Sequence, residues 1–138
     1  VTVAGSEAAA QVLTDRWESL LSSHLGVLAS VAAFTRGIDW LDAARGQLAE
    51  NRELLARLLH DRLPEVGYVP GEASFLAWLD CRKLGLGDDP AAVFLERGKV
   101  ALENGPHFGA PGAGFARLNI GTYPELITEA VTRMAASV

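Results

Sequence analysis

The chain has 138 residues, 49% of them apolar and 21% charged, with a formal net charge of −5. That is enough apolar material for an ordinary domain core, and the lack of any basic run excludes a nucleic-acid surface. Cys81 is the only cysteine, which excludes an internal disulfide and points to a reducing, cytoplasmic setting; no apolar run is long enough to span a membrane.

Val1-Thr-Val-Ala-Gly5 reads as a buried strand ending at a glycine, without the basic region of a signal peptide. Chain termini are usually exposed, so we expect that Val1 is not a natural beginning. Residues 7–21 carry Val12, Leu13, Trp17, Leu20 and Leu21 at helical spacing. Ser22 and Ser23 can cap a second helix to about Arg36, with Leu25, Leu28, Val31 or Ala32, and Phe34 on its apolar face; Gly37 stops it. Asp39 is the expected N-cap of a third helix over 39–62, with Asp42 in its first turn. Leu41, Ala44, Leu48, Leu55, Leu58 and Leu59 repeat along it, and Pro64 ends it. It is the longest element, long enough to bridge two layers or two domains.

After Pro64 the period changes. Val66–Val69 reads as a short strand and Ser74–Leu79 as a central strand, apolar on both faces. Asp80–Gly87 is a loop or single helical turn. Asp89-Pro90 opens a helix to about Arg97, with Asp at N-cap and Pro at N1. Val100–Leu102 is a further short strand. Glu103–Gly114 is a loop with four glycines and two prolines, and Phe115–Ile120 is a strand with Arg117 in its middle. Thr122-Tyr-Pro-Glu125 fits a capping box ahead of a last helix, about 124–136. The pattern predicts an α+β fold, a two-layer unit with a short mixed sheet and helices on one face.

Arg117 is the first candidate for chemistry. Its planar fork suits a carboxylate bidentately. The competing use is an outward-facing edge residue, salt-bridged or solvated, and pattern alone leans that way. The glycine-rich loop could let backbone approach a ligand, yet it carries neither a Walker nor a dinucleotide fingerprint. His24, His60 and His107 share no metal spacing; only His107 lies in the glycine loop. Cys81 reads as a small buried hydrophobe, and Trp17, Trp40 and Trp78 as core. Neither of the two lysines, Lys83 and Lys99, has the apolar surroundings that activate an amine.

Ser74-Phe-Leu-Ala-Trp-Leu-Asp-Cys-Arg-Lys-Leu-Gly-Leu86 begins a resemblance. It continues through Phe94–Leu102, Gly105-Pro-His-Phe-Gly109 and Gly114-Phe-Ala-Arg-Leu-Asn-Ile-Gly-Thr-Tyr-Pro-Glu125. The chain resembles the C-terminal part of fold-type I pyridoxal-phosphate enzymes of the class I/II aminotransferase superfamily, nearest its cystathionine β-lyase-like (C–S lyase) branch. The match is good over 70–138. Ser23–Ala29, Gly37–Leu41 and Asn51-Arg52 extend it more weakly.

The resemblance implies that Arg117 holds the α-carboxylate of an amino-acid substrate, with Gly105, His107 and Phe108 shaping the entrance. It implies a remnant of the large domain at 1–37, and a small domain with its interdomain helix at 38–138. The Schiff-base lysine and the other cofactor contacts of such enzymes match nothing here, so no catalytic, cofactor-binding or metal residue is assigned. We therefore expect a fragment that is inactive alone and associates, as a dimer, through apolar faces. The alternative is a non-catalytic module that binds an amino acid or a partner protein.

Overall fold

The structure, a computed structural model, describes residues 5–15 and 23–138. The chain divides into two compact units, Val1–Asp42 and Ala43–Val138. All but Gly5 of the expected first strand lies outside the described residues, as do Trp17, Leu20, Leu21 and Ser22.

In the first unit, α1 spans Glu7–Asp15 and α2 spans His24–Arg36. The Ser23 hydroxyl accepts a hydrogen bond from the Gly26 amide, and Gly37 closes α2 by donating to the Ala33 carbonyl at 2.9 Å. The expected apolar face of α2 forms, but none of its residues is buried; Leu25, Leu28, Val31 and Phe34 are all exposed. Helix α3 follows directly, Ile38–Arg62. Asp39 is therefore not its N-cap. Gly37 both closes α2 and accepts from the Leu41 amide, which leaves Asp39 inside the first turn, where a carboxylate still favours the positive end of the helix. Trp40, expected in the core, is exposed.

In the second unit, α3 buries Asn51, Leu55 and Leu59 along one stripe. Strands β1 (Gly67–Tyr68), β2 (Leu76–Asp80), β3 (Glu103–Asn104) and β4 (Phe115–Asn119) form one sheet in the order β1-β2-β4-β3. Helix α4, Pro90–Gly98, lies between β2 and β3 in sequence, and α5, Pro124–Ala135, follows β4. The β-β-α-β-β-α succession is as expected and the fold is α+β, but the sheet is not mixed: all three pairings are antiparallel. The crossover through α4 makes β2 and β3 parallel to each other, yet β4 inserts between them, so no parallel pair touches.

Two further boundaries differ from expectation for a visible reason. The strand expected at Val100–Leu102 is displaced to Glu103–Asn104, because Lys99 adopts a left-handed conformation (φ 56°) that caps α4 and the Val100 amide donates to the Phe94 carbonyl. The capping box at Thr122 is absent: Pro124 occupies N1, Tyr123 becomes the N-cap, and no side chain caps the helix. By contrast, Asp89 caps α4 as expected, its carboxylate accepting from the Ala92 amide at 3.1 Å.

The core lies between the helices and one sheet face. Ala77 and Leu79 of β2 and Ala116 and Leu118 of β4 meet Leu55 and Leu59, Phe94, Ile127, Val131 and Met134. Burying each large side chain contributes about 1.5–3 kcal/mol. The other sheet face is only partly covered. The strand expected to be apolar on both faces is buried on one only, since Leu76 and Trp78 are exposed.

Candidate functional site

The alternation of β4 decides where Arg117 goes. Ala116 and Leu118 enter the core, so Phe115, Arg117 and Asn119 stand on the open face. Arg117 is not on an edge strand, because β4 pairs with β2 on one side and β3 on the other. Trp78 and Glu103 are its register partners on those two strands. The row Trp78–Arg117–Glu103 therefore runs straight across the open face.

The glycine-rich loop folds back onto this row. A short 3-10 turn, Gly105–Phe108, starts at Asn104, whose side chain accepts from the His107 amide at 3.1 Å and donates to Asp89 at 3.2 Å. The cap of α4 is thereby tied to the turn. Gly105 is buried where backbone meets backbone: a Cβ there would fall 2.0 Å from the Gly112 carbonyl oxygen. Gly109 leaves the turn at φ 112°, a conformation that L side chains rarely adopt.

The turn presents two side chains to Arg117. Phe108 lies under the guanidinium, with Cζ 4.6 Å from the ring centroid, a cation–π distance. Phe108 also meets Trp78 edge to face at 5.6 Å, and Trp78 stacks on Phe115 at 5.5 Å. His107 reaches Arg117 indirectly. Its Nδ1 donates to Glu103 Oε1 at 2.7 Å, while Glu103 Oε2 stands 3.9 Å from Arg117 Nη2. The Arg117 side chain is 32% exposed. Its counter-charge is beyond hydrogen-bond distance, so its donors remain available to an incoming anion.

Arg82 is occupied differently. It grips Asp80 bidentately at 2.9 and 2.7 Å and lies over Phe115, and its guanidinium holds the Asp80 carboxyl below the ordinary carboxylate range. Cys81 is buried, as expected; burial, with the nearby Asp80 charge, pushes its thiol up to about 12, so it is no nucleophile near neutrality. Among the described residues, no group of three His, Cys, Asp or Glu side chains could hold a metal ion, and no helix is long and apolar enough to cross a membrane.

The structure thus brings together all four residues singled out in the sequence: Arg117, Phe108 and His107 around one row, with Gly105 as their buried pivot. Glu103 and Trp78 were missed. For Trp78 the signal was there, since in strand register with Leu76 it falls opposite the core positions Ala77 and Leu79. Glu103 carried none, because its strand was placed three residues too early.

Comparison with known proteins bears on this arrangement. Residues 2–134 match the family model described as aminotransferase class I and II. The chain belongs to that family. Within it, the chain is 41% identical to a Mycobacterium tuberculosis protein that carries the provisional name cystathionine beta-lyase, over 99% of this chain and 38% of that protein. It is 33% identical to the cystathionine beta-lyase PatB of Bacillus subtilis, over 98% of this chain and 38% of that protein. Among solved structures, a PLP-bound C–S lyase from Staphylococcus hominis superposes with a TM-score of 0.83 at 25% identity, covering 96% of this chain and 35% of that one. This class I and II aminotransferase family member thus spans just over a third of the length of those relatives.

Proposed function

We propose that this chain is the small-domain part of a pyridoxal-phosphate-dependent enzyme that cleaves a C–S bond at Cβ of a small amino acid, and that Arg117 takes the substrate α-carboxylate. The observation that carries it is Arg117 itself: a guanidinium fork on an interior strand of the open sheet face, backed by Phe108 and flanked by Trp78. A rigid strand fixes the angle of the fork, and the aromatic side chains limit its hydration. The names of the relatives favour the lyase over transamination.

Pyridoxal phosphate, when bound, supplies the electron sink for chemistry at Cα and Cβ. This chain's own residues do not fit its covalent attachment. Both lysines are exposed: Lys83 lies in the turn after β2, and Lys99 caps α4 and donates to the Glu96 carbonyl at 2.8 Å. In our account the attachment lysine belongs to the rest of the protein, and the 138 residues alone are inactive. What this chain contributes is orientation. Arg117 holds the carboxylate while the Gly105–Phe108 turn, packed against it through Phe108, shapes the entrance.

The exposed apolar side chains of α2, with Trp40 and Leu41 beyond them, are in this account covered in a homodimer of the whole protein. The test is to supply the whole protein with cystathionine and follow keto acid release against amino-group transfer to an added keto acid. Keto acid with thiol release supports the lyase; transfer alone supports an aminotransferase; neither product rules out the enzyme and leaves the non-catalytic binding module.

A further inference from the structure

Glu103 poses a problem for a carboxylate site. It is a carboxylate itself, on the strand beside Arg117 and in direct register with it. An anion arriving at Arg117 meets a like charge already there, and like charges at that range oppose each other. Yet Glu103 does not close on Arg117. Its Oε1 is held by His107 Nδ1 at 2.7 Å, while its Oε2 stops 3.9 Å from Arg117. The pull comes from a fixed direction, because the His107 amide is bound by the Asn104 side chain, and Asn104 in turn is anchored to Asp89 at the cap of α4.

Building on the carboxylate role of Arg117 proposed above, we infer that Glu103 is an internal competitor for the Arg117 fork and that His107 is the positioning residue that holds it off. With His107 in place, the glutamate stays close enough to orient an empty guanidinium and too far to fill it. Without His107, Glu103 is free to move onto Arg117 and occupy the donors the substrate needs. The same turn that sets His107 on Glu103 sets Phe108 under Arg117, so one loop controls both sides of the guanidinium.

This arrangement makes an unusual prediction: two residues in contact should act with opposite signs. In the whole protein loaded with its cofactor, Glu103→Gln lowers the KM for an amino-acid substrate by roughly three- to five-fold, the scale of one exposed charge pair. His107→Phe raises KM by a similar factor, because it removes the donor and keeps the bulk. His107→Gln, which retains an N–H donor, stays near the wild-type KM. The double variant Glu103→Gln/His107→Phe behaves as Glu103→Gln does, since nothing is left to hold off. A purely structural role in bracing the loop would raise KM in both single variants. Glu103 sits on an edge strand with a 41% exposed side chain, so its replacement leaves the core intact.

A shift of the two single variants in the same direction, or a double variant with the sum of their effects, overturns the competition while leaving the Arg117 role standing. A wild-type KM in Arg117→Ala overturns the carboxylate role and the competition together.

Discussion

The guanidinium carbon of Arg117 stands 4.6 Å from the centre of the Phe108 ring, nine residues earlier in the chain. The ring does two jobs there. It supports the charge with its π face, and it meets Trp78 edge-on, which fixes the tilt of the ring. Replacing Phe108 with Leu keeps the apolar bulk and removes the π face. The expected loss is about 0.5–1 kcal/mol of carboxylate affinity, read as a two- to five-fold rise in KM in the whole protein. Thermal unfolding should move little, since the ring is half exposed.

Gly105 behaves differently. Any Cβ at this position collides with the Gly112 and Phe115 carbonyl oxygens, which are backbone and cannot rotate away. Gly105→Ala should therefore push the turn off the sheet, at a cost of about 1–3 kcal/mol in urea unfolding. The same displacement carries His107 and Phe108 away from the Trp78–Arg117–Glu103 row. KM should rise along with the loss of stability, a pairing that Phe108→Leu lacks.

Asn51 ties the long helix to the end of β4. Its buried amide nitrogen donates to the carbonyls of Ile120 and Thr122, both at 2.8 Å, and its oxygen accepts from Gln47 at 3.1 Å. Asn51→Ala strands these two carbonyls without a donor and leaves a small void. The expected destabilisation is about 2–4 kcal/mol, measured by urea denaturation of the 138-residue chain.

Cys81 provides a pH signature. Its thiol lies at about 12 in the folded chain, against an ordinary 9.0. Below pH 9 both folded and unfolded chains carry the neutral thiol, and the burial costs nothing. Between pH 9 and about 12 only the unfolded chain ionises, so stability falls as pH rises, by at most about 1.4 kcal/mol per pH unit from this group. Unfolding titrations of wild type and Cys81→Ala should diverge in that window and run parallel below it. A thiol reagent should label Cys81 slowly in the native chain and rapidly in denaturant.

The legible parts of the sequence were those governed by neighbours. Asp89-Pro90 declared its helix start because a cap and an N1 proline act within three residues. The stripe of Leu55 and Leu59 emerged from helical spacing alone. Where two local signals compete, one residue decides: at Thr122-Tyr-Pro the preference of proline for N1 outweighed the capping box and moved the cap by one position. Long-range pairings were not legible. Asn51 and Ile120 are 69 positions apart, and nothing near either announces the other. The site divides in the same way. Arg117 stood out because a charge in an apolar strand is rare, whereas Glu103 became visible only once β3 was paired with β4. Arg117's interior strand position likewise depends on β4 inserting between β2 and β3, a fact of topology that pattern alone does not carry.

The most direct test of the central claim is kcat/KM for keto acid release from cystathionine by the whole protein, wild type against Arg117→Ala and Arg117→Lys. Losing a charge-assisted, bidentate carboxylate contact should lower kcat/KM by about ten- to a hundred-fold in Arg117→Ala, with the loss concentrated in KM. Arg117→Lys should fall between, since an ammonium keeps the charge without the fork. A wild-type kcat/KM in Arg117→Ala, in a protein that still unfolds at the wild-type temperature, would contradict the assignment of Arg117 to the substrate carboxylate.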